Sequence, residues 1–121
     1  MKISDLYERV ETFRHVVTGA VPGPNGPEIV SLVVHYRYLP DDVVLSALKG
    51  EVVGLKGVAH DSKDPRFLVN IVEHVEPFGL FGETVELDQE GVEDMIVNHA
   101  AWRRLLNRGY LEGRAGVLEK N

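Results

Sequence analysis

The chain has 121 residues, 44% of them hydrophobic and 26% charged, proportions that fit one domain with a core of its own and exclude disordered and collagen-like classes. Cysteine is absent, so disulfide frameworks, thiolate metal sites and thiol nucleophiles are excluded together. Lys and Arg number 13 against 19 Asp and Glu, a net charge of -6, which opposes nucleic-acid backbones and anionic membranes unless the cations gather on one face. No apolar run nears the roughly 20 residues that span a bilayer, and Met1-Lys2-Ile3-Ser4-Asp5 leads into charged sequence, unlike a signal peptide. The expectation is a soluble protein of a reducing cytosol.

The first third reads as β. Residues 10–21 are rich in Val, Thr and Phe, and in residues 29–39 strict alternation puts Val30, Leu32, Val34, Tyr36 and Tyr38 on one face. Between them, Pro22-Gly23-Pro24-Asn25-Gly26-Pro27 predicts a wide, stiff loop, because its prolines lack amide donors and its glycines accept φ > 0. Two strands alone are marginal in water, so this hairpin must pack on helices or pair with another chain. Leu39-Pro40-Asp41-Asp42 opens a short helix that Gly50 closes, and Asp64-Pro65 opens a second carrying Phe67, Leu68, Ile71, Val72 and Val75 up to Pro77. Residues 51–64 read as a third strand or an extended connection.

Phe78-Gly79-Leu80-Phe81-Gly82 is an apolar turn expected to lie against the core. Asp88 is the candidate N-cap of the last helical region, whose stripe is Val92, Met95, Ile96, Ala100, Trp102, Leu105, Leu106 and Tyr110. Asn98 is placed to cap a fresh helix at His99. Gly109, Gly113 and Gly116 weaken the end, which predicts a flexible tail over residues 114–121. The fold expected is α+β in a single domain over residues 1–121: an N-terminal β-hairpin part (1–39), with room for a third short strand, packed on a C-terminal helical part (40–113) of three to four helices.

Charge is unevenly distributed. Residues 1–40 are balanced, so the whole excess lies in 41–121. Glu73, Glu76, Glu83, Glu86, Asp88, Glu90, Glu93 and Asp94 form an acidic block without a Lys or Arg, followed by Arg103, Arg104, Arg108 and Arg114. Such a pattern complements helix dipoles. It equally suits head-to-tail docking of copies, with Glu90 and Asp94 facing Arg104 and Arg108.

Nothing in the spacing points to catalysis. His15, His35, His60, His74 and His99 make no metal-ligand spacing, His60 with Asp61 and Asp64 being the densest polar group. None of Ser4, Ser31, Ser46 and Ser62 sits in a nucleophile elbow. The pairs Glu73/Glu76 and Glu90/Glu93 belong to an acidic run of the kind that covers a solvated face. The glycines fail as phosphate cradles, since prolines occupy the first stretch and no Lys-Ser/Thr follows the second. The expectation is a binding protein with no enzyme activity, metal or cofactor.

Phe78-Gly79-Leu80-Phe81-Gly82-Glu83-Thr84-Val85-Glu86-Leu87-Asp88-Gln89-Glu90-Gly91-Val92, then Asn98-His99-Ala100-Ala101-Trp102, Leu105-Leu106, Tyr110-Leu111-Glu112 and Glu119-Lys120-Asn121, resemble the C-terminal half of the tail assembly chaperones of long-tailed, siphovirus-type bacteriophages. Tyr36-Arg37-Tyr38-Leu39 is similar to the segment preceding that family's first helix. Phe78 stands where the family usually has tryptophan, and the proline-rich segment at 22–27 is no feature of it. The resemblance implies a small, mostly helical, non-enzymatic protein of the infected host cell's cytoplasm, left out of the mature virion. It would bind and solubilise the tape measure protein and help recruit the tail tube protein. Phe78, Leu80, Phe81, Trp102 and Tyr110 are then the expected partner-binding surface, with Glu90, Asp94, Arg104 and Arg108 setting register in a homo-oligomer. Neither nucleic acid nor membrane is an expected partner. Two other readings stand beside it: a small phage or bacterial regulator that adds its hairpin edge to a host protein, and a small hydrolase or metal enzyme built on His60 and the neighbouring acids.

Overall fold

In the computed structural model, which describes residues 12–39 and 65–119, two strands of equal length open the structure. Strands β1 (Thr12–Gly23) and β2 (Gly26–Arg37) pair antiparallel in unbroken register, from Thr12 opposite Arg37 to Gly23 opposite Gly26. The wide loop expected at 22–27 is instead a ladder end closed by Pro24-Asn25, with Gly26 at φ +115°. The prolines are tolerated for a geometric reason. Antiparallel pairs alternate between hydrogen-bonded and non-bonded, and Pro22 faces Pro27 one step beyond the pair that closes the loop. Their missing amides would have pointed out of the ladder.

The alternation read from the sequence is the observed inner face: Val30, Leu32, Val34 and Tyr36 are buried, joined from β1 by Phe13, Val17 and Val21. After residue 39 the description resumes with helix α1 (Pro65–Ile71), proline at its first position. The first predicted helix and the candidate strand at 51–64 lie outside the described residues. The second predicted helix is shorter than its pattern suggests, because residues 72–75 form strand β3 (Val72–Val75). Strand β3 pairs with Val34–Tyr36 across a bulge and gives the order β1-β2-β3. Ladder partners on β2 and burial of Val72 and Val75 outweigh a helical spacing that β-branched residues support poorly.

Phe78-Gly79-Leu80 and Glu83-Thr84-Val85 form a second hairpin, β4 (Phe78–Leu80) and β5 (Glu83–Val85), where the sequence predicted only a turn. Helix α2 (Gln89–Asn98) starts as predicted: the Asp88 carboxylate accepts from the Gly91 amide at 2.7 Å. The break also falls where expected, at His99 with φ -129° and ψ 94°. Arg103 secures it by donating to the carbonyls of Ile96 (3.0 Å) and Val97 (3.3 Å) at the end of α2.

Helix α3 (Ala100–Glu119) departs most from expectation. It runs through Gly109 and Gly113 into the segment expected as a flexible tail, and Arg114 there is buried, donating to the Leu39 carbonyl through Nη2 at 3.0 Å and lying 4.9 Å over the Tyr38 ring. The glycines that weaken an isolated helix permit close approach to β1. A Cβ at 113 would stand 2.7 Å from Phe13 and 2.8 Å from His15. The architecture is thus α+β: a three-stranded sheet with one face on helices and a small β-ribbon at the side.

The outer sheet face carries polar pairs. Thr18 and Ser31 hydroxyls meet at 2.8 Å, and Glu76 accepts from His35 at 2.7 Å and from Arg14 at 3.4 Å. The His35 bond, reinforced by Arg14, holds the Glu76 carboxyl below the usual carboxylate range. Among the described residues no helix is long and apolar enough to cross a membrane.

Candidate functional site

Four of the five residues that the sequence marks for partner binding converge. Phe78, Leu80 and Phe81 come from the β4–β5 ribbon and Trp102 from the first turn of α3. Together with Pro22, Val85, Leu87 and Met95 they line one cleft of about 380 Å³. Phe78 is its floor, buried, with its ring centroid 5.7 Å from that of Trp102. Met95 and Leu87 flank it from α2 and its approach, and only the ribbon's return brings them beside Phe78.

Phe81 is the exposed lip of this cleft. The residue is 46% exposed, and it is the one non-glycine with positive φ (51°) among the described residues, followed by Gly82 at 79°. Two consecutive positive φ values make the tight turn whose twist suits a β-hairpin, a place where Asn-Gly is the favoured pair. A phenylalanine there costs on the order of 1 kcal/mol in backbone strain. It gains contact with the tip of the first hairpin, since a Cβ at Gly23 would stand 3.2 Å from the Phe81 ring.

Tyr110, the fifth predicted partner residue, is in the core instead. It is fully buried, its ring tilted against Phe13 (5.7 Å) and edge-on to Tyr36 (5.4 Å), and its hydroxyl accepts from the Leu39 amide at 3.2 Å. It falls on the buried stripe of α3, one turn beyond Leu106, so its amphipathic ring closes the core and its oxygen anchors the chain at Leu39. Burial raises the pKa of Tyr36 and Tyr110 alike.

The four predicted inter-copy charges separate. Asp94 lines the cleft, accepts from Asn98 at 2.7 Å and lies 3.7 Å from His99. Arg108 is engaged within its own chain, bonded to the Thr18 carbonyl and 3.2 Å from Glu112. Glu90 and Arg104 are exposed without an ion pair among the described residues; Arg104 lines a second cleft of about 470 Å³ with the hairpin tip, from Ala20 to Gly23. The basic patch of the sequence therefore disperses: Arg103 closes α2, Arg108 holds β1 and Arg114 holds Leu39.

Among the described residues no three His, Asp or Glu side chains converge in a metal-binding group; His60, Asp61 and Asp64 lie outside them. No family model, curated protein or solved structure matches the chain.

Proposed function

We propose that the protein is a non-enzymatic assembly chaperone of the phage tail type, which binds the tape measure protein in the cytoplasm of the infected cell, keeps it soluble and helps recruit tail tube subunits. The observation that carries this reading is the convergence of Phe78, Leu80, Phe81 and Trp102 on one open apolar cleft. Half-exposed aromatic anchors around a concave apolar surface are what a helix-in-groove binder requires. The strained, exposed Phe81 points the same way, because a turn that only had to fold would carry Asn or Gly there. Strand addition at β1, the mode of the alternative regulator, finds less support: Arg108 already occupies the Thr18 carbonyl on that strand, and Pro22 offers no donor.

The test is co-expression with a candidate tape measure protein. A co-purifying soluble complex is expected, and Leu80→Asp or Phe81→Asp should abolish it while thermal unfolding of the chaperone stays unchanged. A partner that remains insoluble in the presence of the parent chain would end this reading.

A further inference from the structure

Resting on that cleft reading, we infer that the segment it takes is an amphipathic helix whose apolar stripe is flanked by Lys and Arg. The lining is apolar apart from Asp94 and His99 and is made mostly of residues with large side chains, so it offers an incoming segment few backbone hydrogen bonds. A segment that enters must satisfy its own backbone, which a helix does and an extended chain does not.

The charge of the partner follows from the segment that supplies the lining. Glu83 stands on β5, Glu86 follows it, and Glu90, Glu93 and Asp94 are on α2, all exposed. None of Glu83, Glu86, Glu90 and Glu93 has an ion pair among the described residues, and from residue 73 to 102 the sequence holds no Lys or Arg. Arg103, the next cation, is spent on the α2 carbonyls. Asp94 is the acid of the lining, and the segment 78–102, which supplies all of the lining but Pro22, carries six acids and no Lys or Arg, with Arg104 on the side of the adjoining cleft; such a surround rejects an acidic helix and steers a basic one.

A second copy does not meet this description among the described residues. Helix α2 is acidic, and α3 buries its apolar stripe on the sheet while Arg103, Arg108 and Arg114 bond within the chain, so that Arg104 alone, without an apolar stripe beside it, is left for a partner. The occupant is therefore another protein.

Trp102, the single tryptophan, lines the cleft and reports occupancy by its fluorescence. The intact chain is titrated with a synthetic Leu/Lys amphipathic helix of about four turns and with its Leu/Glu counterpart. The basic peptide should bind at least about tenfold more tightly, and its affinity should fall as salt rises from about 50 to 300 mM. Phe81→Asp separates the cleft from diffuse attraction to an acidic protein: it adds a negative charge yet should weaken binding about tenfold, whereas Glu112→Gln, nearly three turns along α3 from Trp102, should leave it unchanged. Glu86→Lys with Glu90→Lys should narrow or reverse the preference.

Equal or tighter binding of the acidic peptide, lost in Phe81→Asp, would overturn the charge inference and leave the cleft reading standing. Binding that survives Phe81→Asp would overturn the inference as mere charge attraction. No binding of either peptide would overturn both. Self-association that Phe81→Asp abolishes would make a second copy the occupant and overturn it also.

Discussion

The backbone of Gly109 passes so close to Tyr36 that a Cβ on it would stand 2.7 Å from the Tyr36 hydroxyl and 3.0 Å from Val17. That hydroxyl is fixed by its own 2.7 Å bond to the Leu106 carbonyl, so it has nowhere to retreat. The contact sets how deeply α3 seats on the sheet.

Gly109→Ala should therefore destabilise by about 1–3 kcal/mol despite alanine's better helix propensity, because overpacking outweighs a gain of at most about 1 kcal/mol. Gly116→Ala is the control. A Cβ there meets nothing within 4 Å, so it should stabilise by up to about 1 kcal/mol. Urea midpoints of the two variants should move in opposite directions.

Tyr36→Phe removes the buried bond to Leu106 and should lower stability at pH 7 by about 1 kcal/mol. Its larger signature is alkaline. Burial raises the Tyr36 and Tyr110 pKa values above the ordinary 10.0, so above pH 10 the unfolded chain releases protons that the folded chain keeps. Stability is whole below that pH and falls as pH rises above it, by up to about 1.4 kcal/mol per pH unit for each phenol. Denaturation between pH 8 and 11 should show this decline, shallower in Tyr36→Phe and in Tyr110→Phe; an equal slope in all three would refute the assignment.

At the acid end the sign is opposite. The Glu76 carboxyl is held below its ordinary range by His35 first and Arg14 second, so its contribution is present above that range and is lost as pH falls through the lowered value. Glu76→Gln should leave a flatter decline in denaturation midpoint below about pH 4.5, and Arg14→Gln should produce a smaller change of the same kind.

Phe81→Asn separates folding from binding. Relief of positive-φ strain offsets the lost contact of a half-exposed ring, so stability should stay within about 1 kcal/mol of the parent. Partner capture should nevertheless fall to background. Unfolding of the variant at room temperature would instead make Phe81 a folding residue.

Local signals were legible in the sequence because each is settled within a turn or a strand. Alternation marked Val30, Leu32, Val34 and Tyr36, Asp88 bonded the third amide of its helix, and the chain broke at His99. Phe78, Leu80 and Phe81 stood out as an apolar turn punctuated by glycine and Trp102 as part of a helical stripe, but that the four line one cleft is a tertiary fact. What the tertiary structure alone decided depends on partners far along the chain. Residues 72–75 became a strand because β2 offered a ladder some forty positions earlier, where His35 now meets Glu76 across 41 positions. Glycines that mark a failing helix end became its seat against β1, and Arg108 became a strap to Thr18, 90 positions away. Tyr110 moved from the expected surface to the core for the same reason. Helical spacing says which side chains share a face, but only the opposing sheet says whether that face is covered.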